Sequence, residues 1–180
     1  MQEREWEDQI SAAWDSFDRF SEAHFLALIE KLAAGAPPGS GAGCFERASA
    51  LDSTGHPDMA VPLYRQALEQ GLDAARRRRA VIQMASSLRN IGRAQESVAL
   101  LTAEIEAVPD ELDDPVVAFL ALALADTVRE REGLSAALAA LAPHLPRCQR
   151  SVAATRGCWW SPGRNPDRPP HAAGRRPENH

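Results

Sequence analysis

The chain has 180 residues, enough for one compact domain and a tail, and 44% of them are hydrophobic, so a core can form. Aromatic residues make up only 6% while alanine is abundant, which suits closely packed helices better than strands, and the formal charge of -5 argues against a general nucleic-acid binder. The three cysteines, Cys44, Cys148 and Cys158, stand far apart with no C-x-x-C pair, so a zinc or redox motif is absent and reduced thiols in a cytoplasm are expected.

Residues 3–17 carry Trp6, Ile10, Ala13, Trp14 and Phe17 at spacings of three and four, the stripe of an amphipathic helix. Its other side holds Glu3, Glu5, Glu7 and Asp8, which read as an exposed acidic face too charged for a signal peptide. Ser21 is placed to cap a second helix with the stripe Phe25, Leu28, Ile29 and Leu32. The two form an N-terminal hairpin over residues 1–36, closed by a Pro/Gly/Ser loop from Gly35 to Gly43. From Cys44 onward, Phe45, Ala48 and Leu51 predict a helix ending near Thr54-Gly55. Pro57 opens the next, with Ala60, Leu63, Tyr64, Ala67 and Leu68 on one face and Gly71 at its end.

The arrangement then returns. Val81, Met84, Ala85 and Leu88 form one helical face ending at Gly92, and Val98, Leu101 and Ile105 form the next, ending at Pro109. The turn glycines Gly55 and Gly92 are 37 residues apart, the period of a helix–turn–helix repeat. Asp113-Asp114-Pro115 starts a further helix, Val116 to about Arg129, with Leu134 to Leu141 as its partner. The apolar run Val116 to Ala125 is too short to span a membrane. Four hairpins follow, with no strand alternation.

These residues resemble the tetratricopeptide repeat, which asks for bulky, small and bulky residues on its first helix and small, bulky, small on its second. The first repeat matches at Ala48, Leu51, Gly55, Ala60, Tyr64 and Ala67, and the second at Val81, Met84, Ala85, Leu88, Gly92, Leu101 and Pro109. The second departs at Ser97 and Glu104, where the family prefers alanine. A weaker third match uses Leu124, Ala125, Val128, Ala137 and Leu141, with no turn glycine in the expected place. The stretch also looks like a bacterial subgroup with slightly lengthened repeats. The resemblance covers roughly residues 42–145. It implies an all-α, right-handed α-α superhelix whose concave face holds partner segments; it implies no enzymatic activity, and no cofactor is expected.

Arg79, Gln83, Ser86 and Asn90 align on the side of their helix away from the core, with Arg89 beside them. Ser49 and Asp52 take the equivalent face one repeat earlier. The resemblance makes these seven the candidate partner-binding residues, gripping a protein or peptide, acidic on this reading, through hydrogen bonds and arginine–carboxylate pairs. The alternative for the same residues is a plain solvated face. The run Arg76-Arg77-Arg78-Arg79 points around its helix, so it meets either a partner or nearby acids. His24, His56 and His144 show no metal-ligand spacing. No set of nucleophile, base and orienting group appears, so an enzyme is not expected. The alternative function is a self-associating structural protein, packing through its N-terminal hairpin or its exposed last repeat.

Residues 147–180 break the composition, with seven arginines against two acids and prolines at 162, 166, 169, 170 and 177. They read as a disordered tail. A second reading comes from the codons. Cys158-Trp159-Trp160 is encoded UGY-UGG-UGG, and one base earlier those bases give Leu, Met or Val, then Leu, then Val. The tail is then a frame-shifted remnant of a helix that caps the solenoid. Both readings stand on sequence alone.

Overall fold

The computed structural model describes residues 3–106 and 110–154. Among them the order is α1 (Glu3–Asp15), α2 (Glu22–Ala33), α3 (Ala42–Ser53), α4 (Pro57–Gln70), α5 (Ala74–Asn90), α6 (Ala94–Ile105), α7 (Asp113–Ala125), α8 (Glu130–Leu141) and the short α9 (Gln149–Ala153). Single 3₁₀ turns sit at Phe17–Arg19 and Ala142–His144, and no strand occurs among the described residues. Each helix from α1 to α8 packs on its successor, and α3, α5 and α7 also touch one another in series. That neighbour-on-neighbour pattern is a solenoid: one hairpin cannot cover its own apolar face, so the next covers it.

The stripes read from sequence become the core. Phe45, Ala48, Ala60, Tyr64 and Ala67 bury between α3, α4 and α5, with Met84 and Leu88. Val98, Leu101, Val116, Leu120 and Leu124 bury between α5 and α8. Alanines at 48, 60, 67, 80, 85 and 123 are fully buried, which lets the helix backbones approach closely. The first hairpin uses larger groups. Phe25 meets Trp14 and Phe17 edge-on, with ring centroids 5.0 and 4.7 Å apart. Buried Trp6 donates its indole N–H to the Leu32 carbonyl at 2.8 Å.

The turns inside the hairpins share one design. Gly55 (φ 86°) and Gly92 (φ 79°) are left-handed, and the residue after each bonds back to a carbonyl five residues earlier: His56 to Leu51 and Arg93 to Leu88, both at 2.8 Å. The third hairpin repeats this at Val128 (φ 61°), where Arg129 bonds to the Leu124 carbonyl at 3.0 Å. This corrects the sequence reading, which set Val128 inside a helix running to about Arg129. α7 ends at Ala125, and Val128 occupies the turn position. The third repeat therefore shifts register. Gly133 takes the place that Ala60 and Ser97 hold, and a Cβ there would lie 2.5 Å from the Ala121 carbonyl oxygen. Ser97, noted above as a departure, is fully buried at the same crossing, so a small side chain is all the position needs.

Within the segment read as a tail, Gln149–Ala153 is helical, and its first side chain donates to the carbonyls of Pro143 (3.1 Å) and Leu145 (2.9 Å). The disorder and frame readings for residues 155–180, Cys158 included, fall outside the described residues.

Candidate partner-binding face

The arginine run sits in the first two turns of α5, after Asp73 caps it by accepting the Arg76 backbone N–H at 2.9 Å. Four cations at a helix N-terminus oppose its dipole, and nearby acids offset them. Arg76 pairs with Glu7 of α1, with Asp73 at 3.1 Å and with Glu46 of α3 at 3.5 Å, and lies over the Trp6 ring. Arg77 grips Glu104 of α6 with two bonds of 2.7 and 2.9 Å. Arg78, only 4% exposed, reaches Glu104 at 3.7 Å, Asp110 at 3.2 Å and Asp113 at 2.6 Å. These three arginines join α5 to α1, α3, α6 and the start of α7. Glu104, read above as a departure from alanine, is the buried acid that Arg77 and Arg78 share.

Arg79 differs. It is exposed, its guanidinium stands 5.3 Å over the Phe45 ring, and no ion pair engages it among the described residues. One turn on, Gln83 is half-buried and accepts the Ser49 hydroxyl at 3.4 Å. Ser86 is half-buried and Asn90 exposed. Arg89 is held at 2.5 Å by Asp126, which caps the end of α7. α5 thus brings Arg79, Gln83, Ser86 and Asn90 to one surface, and ties Arg89 across to its neighbour.

The α3 residues are more enclosed. Ser49 is 2% exposed, between Gln83 and the Tyr64 hydroxyl, which donates to it at 3.5 Å. Asp52 accepts the Ser87 hydroxyl at 2.8 Å. Burial pushes the Asp52 carboxyl above the usual carboxylate range, against the hydrogen bonds from Ser87 and Tyr64. Glu46 shifts upward for the same reason, against the Trp14 indole N–H (2.8 Å) and Arg76. Ser49 and Asp52 are therefore contacts between α3 and α5, and Ser49 presents nothing to solvent.

The corrected third turn adds residues that the sequence reading missed. Counted from Gly92, Gln83 and Ser86 lie nine and six residues before the turn. Counted from Val128, those places belong to Phe119, half-buried, and Leu122, 47% exposed. The polar face on α5 continues into an apolar one on α7. A turn glycine would have revealed this register, and valine concealed it.

The histidines stay apart: His24 is exposed, His56 meets Glu22 at 2.7 Å and His144 meets Asp114 at 2.8 Å. Among the described residues no group of three His, Cys, Asp or Glu is placed to hold a metal, and no helix is long and apolar enough to cross a membrane. Comparison with curated proteins and with solved structures returned no match. A family model described as Tetratrico peptide repeat matches residues 41–156, from α3 through α9 and well over half of the sequence. The chain belongs to the tetratricopeptide repeat family, whose helical solenoids are protein-interaction modules.

Proposed function

We propose that the face shared by α5 and α7 holds a segment of a partner protein. Arg79, Gln83, Ser86 and Asn90 supply charge and hydrogen bonds, and Phe119 and Leu122 supply an apolar seat. The observation that carries this reading is Arg79, exposed and without a direct ion pair among the described residues, beside three arginines that have one, its charge reaching Glu46 only through space. A carboxylate on the partner completes it, with an apolar side chain further along on Leu122. Arg89 has its acid in Asp126 and acts as a clasp between repeats, and Ser49 and Asp52 support Gln83 and Ser87 from beneath.

The test uses a photo-crosslinking residue at Ser86 or Leu122 in the full chain, with Gln66 on exposed α4 as control. Partner adducts are expected from the first two sites and not from the third. Arg79→Glu, with helicity retained, should weaken the captured partner about tenfold, the equivalent of one charge-assisted hydrogen bond. Adducts from Gln66 alone would move the interface to the opposite face. An unchanged affinity for Arg79→Glu would remove the acidic partner from the reading.

A further inference from the structure

One side of α8 carries leucines that no described element covers. Leu134 is 61% and Leu141 48% exposed, with half-buried Leu138 between them at helical spacing. In the preceding hairpins the second helix receives the first helix of the next: α4 receives α5, and α6 receives α7. The chain after α8 begins to do the same. Seven residues, 106–112, separate α6 from α7, and seven, 142–148, separate α8 from α9. α9 touches α8 and carries half-buried Val152. It stands where the next first helix begins, yet it spans 5 residues where α3, α5 and α7 span 12, 17 and 13. The family match also runs on past α8 to residue 156.

Beyond α9 the genetic code restricts what the neighbouring reading frame can encode. One base earlier, the codon covering Thr155 reads NAC, which allows Tyr, His, Asn or Asp. The codon at Gly157 becomes NGG, which allows Arg, and Cys158-Trp159-Trp160 becomes an apolar residue, then Leu, then Val. Val152, an aromatic or polar residue at 155, and the apolar residues at 158 and 159 fall at spacings of three and four, one helical face continuing the stripe of α9. In the present frame the same stretch carries Arg156, Gly157, Pro162, Gly163 and Arg164, with no such stripe.

We propose that the leucine face of α8 is the seat of a closing helix that starts as α9, and that the codons for the rest of it are read one base earlier than in this chain from about residue 155. The ligand of this face is thus intramolecular. In the present chain the seat is open to a second copy, so association through α8 is a consequence of the lost helix.

Two measurements test this. Sequencing the gene and translating the earlier frame should give an open run of at least two helical turns beyond position 160, with apolar residues at three- and four-residue spacing. A stop codon inside that run overturns the proposal. Independently, the present chain is compared with a chain carrying the earlier frame. The latter should melt roughly 5 °C higher and scatter as a monomer. Leu134→Glu with Leu141→Glu should lower the melting temperature of the restored chain while leaving that of the present chain unchanged and reducing its association. An equal effect in both chains, or no gain on restoring the frame, refutes the closing helix.

Discussion

Replacing Val128 by glycine should stabilise the protein, although it removes a side chain. Val128 holds φ 61° and is 84% exposed, so almost no packing is lost. A left-handed conformation costs an L-residue roughly 1–2 kcal/mol, and branching at Cβ places valine at the upper end. Glycine removes that strain but gives the unfolded chain more freedom, an offset of roughly 0.5–1 kcal/mol. The net gain is about 1–1.5 kcal/mol, or roughly 2–6 °C in melting temperature for a chain of this size. The mirror experiment is Gly92→Val. A Cβ at Gly92 (φ 79°) would meet nothing within 4 Å, so the substitution isolates the same backbone term with opposite sign. Urea titration followed by circular dichroism measures both variants, with equal m-values required. If Val128→Gly destabilises while Gly92→Val is neutral, the third turn is not left-handed and the register assigned to α7 and α8 is wrong.

Gly133→Ala should cost about 2 kcal/mol in the same titration, because its Cβ would press on the Ala121 carbonyl 2.5 Å away where α7 and α8 cross. Arg78→Ala should cost about 3 kcal/mol, since it removes one of the two cations on buried Glu104 and opens the contact with Asp113; a loss below about 1 kcal/mol would place Arg78 in solvent. Asp52 and Glu46 have carboxyls raised by burial, so the folded state binds their protons more tightly than the unfolded chain does. Their contribution is greatest below the ordinary carboxylate range and is lost as pH rises through the raised values. Asp52→Asn should therefore make the fall in melting temperature as pH rises above the ordinary carboxylate range shallower, and an unchanged profile would refute the shift.

The fold was legible wherever one residue type had one physical use. Gly55 and Gly92 marked left-handed turns because only glycine adopts them without strain, and Phe45, Tyr64, Leu88 and Leu101 marked the core by spacing alone. Val128 was illegible because valine is the last residue expected at such a turn. With it went the register of the third repeat, and so Phe119 and Leu122. Arg78 was illegible for another reason. Arginine reads as surface, and the acids that let it be buried, Glu104, Asp110 and Asp113, are 26 to 35 residues away. The polar side of α5 was readable from periodicity, but the enclosure of Ser49 follows from Gln83 and Tyr64 closing over it, which periodicity does not report.

The ion pairs are distributed unequally along α5, and this shapes how the superhelix flexes. At its start, Arg76, Arg77 and Arg78 bind four neighbouring helices or their approaches through a network anchored on the buried side chains of Glu46, Arg78 and Glu104. At its far end one partly exposed clasp, Arg89 to Asp126, joins it to α7. Salt screens the exposed clasp far more than the enclosed network. Raising the ionic strength should therefore loosen the Asn90 end of the stack before its Arg76 end. On the function proposed above, Asn90 lies at the margin that yields and Arg79 close to the spine, where the geometry is already fixed.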